Sequence, residues 1–317
     1  MIITISLNAA IDKRYEIDHL KIGQVNRVDK CIYAAGGKGI NVARVVKIAG
    51  ENVIATGFVG GHTGNLIEQS AHECGLETDF IHVDGESRTC INILDTVTKI
   101  QTEILEGGEN ISMDDQERML EKYEALLKSA KVITISGSVP KGINSKMYQE
   151  MISLAKTANI PVLLDTSGQL LKDCIQVAPT LIKPNQDEME QLFGKKITNE
   201  EELIEKGLEL YKKGIAYVVI SLGSDGSILI SPSGVYKAIV PKIEAVNTVG
   251  CGDTMIAGFA VGLLKNWEDE HILQFASAIS AANALRVETG FYLQEDFTNL
   301  YQKIIINKIH NNSEEAL

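Results

Sequence analysis

The sequence predicts an α/β fold, with a mostly parallel central sheet, helices on both faces and a small β-sheet that serves as a lid. Two patterns predict it. Apolar runs at 132–135, 162–165, 180–183 and 217–220 alternate with helical patterns at 115–129, 146–158, 168–177 and 200–213, which is how parallel strands with right-handed crossovers read. By contrast, 78–105 reads wholly as strand, and 13–34 scatters Tyr15, Ile17, Val25, Val28 and Ile32 among charges as short, partly exposed strands do. No internal repeat or low-complexity linker divides the chain. One domain is expected over 1–310, with lid segments at about 12–34 and 88–105 and a polar tail at 311–317.

Composition limits the function classes. The chain has 317 residues, 44% of them hydrophobic, and a net charge of -12, so no basic stripe is at hand to neutralise a nucleic-acid backbone. Any bound phosphate must be held locally. Cys31, Cys74, Cys90, Cys174 and Cys251 lie scattered without a C-x-x-C pair, which suits a reducing cytoplasm better than a disulfide scaffold or a zinc site. The longest apolar run, 256–264, is too short to span a membrane, and the protein is expected in the cytoplasm.

Taken in order, the first strand, 1–7, delivers Asn8 to Asp12 past its C-terminal end, where open α/β sheets contact ligands. Asp12 is a hydroxyl binder or a turn residue. Gly36-Gly37-Lys38-Gly39 then enters a helix, with Lys38 and Asn41 at its mouth; it departs from the Walker loop, whose Lys precedes Ser or Thr. The strand at 53–59 ends in Gly60-Gly61-His62-Thr63-Gly64, a weak match to a dinucleotide site. Arg88 opens a strand from which it can reach an anion or join a surface pair. Pro184 to Glu188 begins a helix with Asn185 and Glu188 on one face, either complementing the dipole or holding magnesium through water. Ser221 to Gly226 reads as a hairpin turn able to hug a ligand, 235–240 as an edge strand, and 272–285 and 297–309 as two closing helices.

The chain centres on Asn247-Thr248-Val249-Gly250-Cys251-Gly252-Asp253, followed by a buried small-residue helix. Glycines let amides crowd toward one point and the helix start adds positive charge, which makes an anion hole. An Asp beside such a hole either caps the helix or handles the proton of a group that attacks phosphate. The second reading is phosphoryl transfer.

These motifs, with Asn8-Ala9-Ala10-Ile11-Asp12, Gly36 to Arg44, Ser136-Gly137-Ser138-Val139-Pro140 and Lys183-Pro184-Asn185 with Glu188, resemble the PfkB, or ribokinase-like, carbohydrate kinases over about 2–305. Within that family they are most similar to the 1-phosphofructokinase and tagatose-6-phosphate kinase branch. The resemblance implies a ribokinase-like three-layer fold and ATP-dependent phosphorylation of a ketohexose phosphate. Fructose 1-phosphate to fructose 1,6-bisphosphate comes first, tagatose 6-phosphate to tagatose 1,6-bisphosphate second, and an unphosphorylated sugar or nucleoside third.

Carried over by position, the resemblance makes Asp253 the catalytic base, with Gly250, Cys251 and Gly252 as the anion hole. Lys183, Asn185, Ser221, Gly223, Gly226 and Asn283 would line the ATP site, with Asn185 and Glu188 organising Mg2+ through water. Asp12, Gly37, Lys38 and Asn41 would grip sugar hydroxyls, and Arg88 with Ser138 would approach the phosphate already on the sugar. A monovalent cation is compatible with the motifs and not required by them. Lids of this kind pair between two subunits, so a homodimer through 88–94 and 101–105 is expected. The family turn usually has Ala at Cys251 and Pro at Ala9, so a thiol lies beside the phosphate site and the Asp12 loop is less rigid.

Overall fold

Every residue of β1 (Ile2–Ser6) is buried, which is why it reads as an almost unbroken apolar run. The structure, a computed structural model, describes residues 1–28 and 30–310, and the expected tail at 311–317 lies outside the described residues. After β1 come β2 (Ala10–Ile17), β3 (Lys30–Gly36), α1 (Lys38–Ile48), β4 (Val53–Gly60), α2 (Gly61–Glu73), β5 (Glu77–Thr78) and β6 (Ile81–Val83). The middle of the chain forms β7 (Arg88–Asp95), β8 (Gln101–Leu105), α3 (Met113–Leu127), β9 (Val132–Ser136), α4 (Ser145–Thr157), β10 (Val162–Asp165), α5 (Gly168–Cys174) and β11 (Leu181–Ile182). The remainder forms α6 (Gln186–Phe193), α7 (Glu200–Lys212), β12 (Tyr217–Ser221), β13 (Ser227–Ser231), β14 (Gly234–Ile239), α8 (Cys251–Leu264), α9 (Asp269–Ala284), α10 (Gln294–Tyr301) and β15 (Ile305–His310).

The central sheet runs β15, β14, β13, β12, β11, β10, β9, β1, β4, β5, with β6 also on β4. Pairing is parallel from β12 through β9 and β1 to β4 and antiparallel from β12 to β15. Alternate side chains feed two cores. Ile2 packs with α1, α8 and α9 on one face, while Ile3 and Ile5 pack with α3, α4 and α7 on the other. The parallel strands therefore all end at one edge of the sandwich, and the loops after β1, β9, β10, β11 and β12 converge there. Just past α8, Trp267 stacks on His271 of α9, with ring centroids 4.3 Å apart.

The second sheet has the order β3, β2, β7, β8 and forms the lid expected from the sequence. β2 and β7 are parallel, with Asp12 opposite Cys90. The strand at Ile81–Val83 belongs instead to the central sheet, because it pairs with β4 from Phe58 to Gly60. On β8, Ile104 and Leu105 are 53% and 61% exposed.

Two expectations are corrected. The stretch 297–309 is not one helix: α10 ends at Tyr301, and β15 pairs antiparallel with β14 from Ile239↔Ile305 onward. Ile304, Ile305 and Ile306 are β-branched and favour strand, and β14 offers them a row of open backbone groups. Consequently β14, expected at the edge, is interior.

Candidate active site

Gly250 is the N-cap of α8 with φ 83°, a left-handed conformation that only glycine takes cheaply. A Cβ there would also lie 2.6 Å from Cγ2 of Thr289, so a loop from the far end of α9 presses directly on this turn. Thr254 fastens the turn by donating both its amide and its hydroxyl to the Gly250 carbonyl, each at 2.8 Å. The Cys251 amide donates to Thr248 O at 3.3 Å. Of the expected anion hole, the Cys251 amide is thus engaged, while among the described residues the amides of Gly252 and Asp253, in the first turn, make no backbone hydrogen bond and stay open.

Asn283, expected to line the nucleotide site, is fully buried beneath this turn. Its Nδ2 donates to Val249 O at 3.2 Å and to Cys251 Sγ at 3.4 Å, and its Oδ1 accepts from Phe291 N at 3.0 Å. It shapes the anion loop from below, because its polar atoms are already engaged by protein. Burial pushes the Cys251 thiol above its usual range, against the hydrogen bond from Asn283. A thiol held protonated is a poor nucleophile.

Asp253 is buried, and its Oδ2 accepts from Asn41 Nδ2 at 2.8 Å. Arg44 fixes the direction of that amide: its Nη1 donates to Asn41 Oδ1 at 3.1 Å and to Thr289 O at 2.8 Å, and Nη2 to Ala35 O at 2.5 Å. Burial raises the pKa of Asp253 above the ordinary carboxylate value, although Lys38 opposes the rise. Lys38 and Lys183 flank the same point and share one counter-ion, with Asp165 Oδ2 3.2 Å from Lys38 Nζ and Oδ1 3.4 Å from Lys183 Nζ. Burial alone would raise Asp165, but the two ammonium groups outweigh it and keep it ionised. Asp165 in turn holds Lys38 charged, well above the ordinary lysine value. A Cβ on Gly252 would come 2.9 Å from Lys183 Nζ, so the glycine admits the ammonium to the start of α8.

At the acceptor end, Arg88 Nε donates to Asn8 O at 3.0 Å, and Asn8 Nδ2 donates to Ser138 Oγ at 3.1 Å. Arg88 and Ser138 are thus brought together through Asn8. Arg88 Nη1 reaches Glu106 O at 3.2 Å, while among the described residues Nη2 has no partner. Asp12 packs over Gly36, where any side chain would overlap its carboxyl group. Burial raises Asp12 to about 6, against the charges of Arg44 and Arg88. Gly37, next in line, caps α1 with φ 96°.

Apart from Asn283, the residues expected to line the ATP site gather at the ends of β11 and β12 and on the loops after them. Asn185 and Glu188 form a capping box on α6, with Glu188 N donating to Asn185 Oδ1 at 2.8 Å and Asn185 N to Glu188 Oε2 at 2.9 Å. Asn185 also bridges to Ser221, which puts Lys183, Asn185, Ser221 and Gly223 on adjoining loops. Gly226 also serves the hairpin: a side chain there would overlap the carbonyl of Ala238. The glycine cluster at 60–64 is closed to any dinucleotide, because Glu86 accepts from the amides of His62 at 3.0 Å and Thr63 at 2.9 Å. The protein's own carboxylate fills that helix start.

Sequence reasoning missed Asp165, Arg44, Thr289 and Gly290. Asp165 carried a signal: an acid closing the buried strand Val162-Leu163-Leu164 has no place in a core unless cations wait for it. Residues 2–296 match the family described as pfkB family carbohydrate kinase. Tagatose-6-phosphate kinase of Staphylococcus epidermidis strain RP62A is 38% identical over 312 residues, covering 98% of this chain and 100% of the relative. The enzyme of that name from strain ATCC 12228 matches equally, at 38% identity over 312 residues. Phosphofructokinase-2 from Escherichia coli, solved in complex with potassium, superposes with a TM-score of 0.89 at 23% identity, over 95% of this chain and 98% of that one, and so shares the fold. With the family matched along nearly the whole chain and its motifs gathered at one edge of the sheet, this protein belongs to the pfkB family of carbohydrate kinases.

Proposed function

We propose that this sugar-phosphate kinase moves the γ-phosphoryl group of ATP onto tagatose 6-phosphate, giving tagatose 1,6-bisphosphate. The motifs alone favour fructose 1-phosphate; two full-length relatives named tagatose-6-phosphate kinase favour the other order. The observation that carries the kinase reading is the buried Asp253 carboxylate at the start of α8, bonded to Asn41 and flanked by Lys38 and Lys183. Asn41 occupies Oδ2 and leaves Oδ1 for the sugar hydroxyl. That hydroxyl need only surrender its proton late, as the new bond to phosphorus forms, and a raised pKa suits the carboxylate to take it. The amides of Gly252 and Asp253 and the two ammonium groups stabilise the equatorial oxygens.

Magnesium, when bound, would neutralise charge on the ATP phosphates. Among the described residues no three His, Cys, Asp or Glu side chains converge, which suits an ion carried mainly by phosphate and water, with Asn185 and Glu188 reaching it through water. The small sheet would close over the acceptor, and its outer face would meet a second subunit. The five free cysteines fit a reducing cytoplasm, and no described helix is long and apolar enough to cross a membrane.

Coupled assays with ATP across tagatose 6-phosphate, fructose 1-phosphate, fructose 6-phosphate and free fructose test the reading. The highest kcat/KM is expected on tagatose 6-phosphate. Arg88→Ala should lower it by roughly 10 to 150-fold, the loss of one charge-assisted hydrogen bond, with ATP affinity nearly unchanged. Equal efficiency on free and phosphorylated sugar would refute the acceptor assignment.

A further inference from the structure

The loop at 286–290 lies where the small sheet, α1 and the anion loop meet. Its Val287 carbonyl accepts two donors, Arg14 Nη1 from β2 at 2.9 Å and Asn247 Nδ2 at 3.0 Å. Asn247 is 4% exposed. Its Oδ1 accepts from the Val249 amide at 3.1 Å and faces Gln101 Nε2 of β8 at 3.5 Å. Val249 leads directly into the left-handed turn at Gly250, and Thr289 and Gly290 press on that turn from the same loop. Two strands of the small sheet therefore reach the start of α8 through one buried amide and one carbonyl. Arg14 is free for this role. Its closest carboxylate, Glu16, stands 3.8 Å away, and among the described residues its Nε has no hydrogen-bond partner.

We propose that Arg14 and Asn247, meeting at the Val287 carbonyl, are positioning residues that make the shape of the anion loop depend on the docking of the small sheet. Both lone pairs of that oxygen are used, so each donor holds the carbonyl where the other needs it. Neither residue touches the reacting atoms. When the small sheet is docked, Val249 is held and the amides of Gly252 and Asp253 point at one place; when it swings away, the Val287 carbonyl is released and the turn loosens. The catalytic consequence rests on the kinase reading above, whereas the coupling itself does not.

Hydrogen exchange on the full-length protein separates the two. Arg14→Met should speed exchange of the Val249 amide about tenfold although Arg14 makes no contact with it, the equivalent of about 1.4 kcal/mol, with β1 unaffected. Arg14→Lys keeps a donor and should restore most of the protection. Combined with Asn247→Leu, Arg14→Met should add less than twofold to the larger single effect, because the influence of Arg14 reaches Val249 through Val287 O and Asn247. Activity should follow, with kcat down about tenfold and the KM for ATP little moved. Unchanged exchange at Val249, equal acceleration in β1, or single effects that multiply in the double variant would each overturn the coupling. Coupling with no transfer to any ketohexose phosphate by the unaltered enzyme would instead leave it standing and remove the functional reading.

Discussion

Asp253 and Asp12 are both raised by burial, yet they meet different partners and should respond differently to the same change. Asp253 accepts from Asn41 and stands beside two ammonium groups. Asp253→Asn keeps the shape but cannot take a proton, so turnover should fall by on the order of 10²-fold or more while ATP binding, read by titration calorimetry, survives. Near-normal kcat in that variant would remove Asp253 as the base. Asp12 titrates near 6, against an ordinary value of 3.8, because folding buries it. Folding thus prefers its protonated form, and the associated stability is complete below about pH 4 and lost as pH rises through about 6. Asp12→Asn imitates the protonated state. It should raise the urea midpoint at pH 8, by at most about 3 kcal/mol in stability, and leave it unchanged at pH 4. A gain of equal size at both pH values would point to packing instead of ionisation.

At the scale of elements, α8 and α9 are pressed together through glycine. A Cβ on Gly258 would fall 2.6 Å from the Cα of Ala276, so Gly258→Ala must push the helices apart. We expect a loss of roughly 1 to 3 kcal/mol in chemical denaturation, as overpacked cores show, and with it a lowered kcat, since α9 carries Asn283 beneath the anion loop. A variant as stable as the parent would show that the helix pair slides freely. The parallel core of the fold was legible because strands such as β1 and β9 are covered on both faces and leave unbroken apolar runs. β15 was not. Residues 297–309 contain apolar positions at both spacings, and what decides is the open flank of β14, a partner distant in sequence. Likewise Lys38, Asn41 and Asp253 stand in local glycine-rich motifs and Asp12 follows the end of the first strand, so each could be singled out. Arg14 and Glu86 could not be assigned, and Asp165 could be suspected only as an acid closing a buried strand, because each acts on a group tens of residues or more away. Gly226 and Asn283 show a related limit: a motif names a residue, while its neighbours, here Ala238 and the turn at Gly250, show what else it does.

For the whole molecule, a net charge of -12 sets a repulsive field against anionic ligands, and under the proposed reading Lys38, Lys183 and Arg88 are the cations that would draw ATP and a sugar phosphate in. The small sheet meanwhile leaves Ile100, Ile104 and Leu105 of β8 and its turn exposed. A second copy covering that face would bury them and protect an unpaired strand edge. Sedimentation should give a dimer at assay concentration, and Ile104→Glu with Leu105→Glu should convert it to monomer with reduced activity. A parent protein that sediments as a fully active monomer would count against the pairing. The lone tryptophan has a practical consequence. α8 spans 14 residues, about 21 Å, with the Asp253 carboxylate in its first turn and Trp267 just beyond its last. Intrinsic fluorescence, excited at the indole, therefore cannot see a nucleotide by direct contact. A change in emission on adding ligand would then report movement relayed along α8 to the indole and its stacked partner His271.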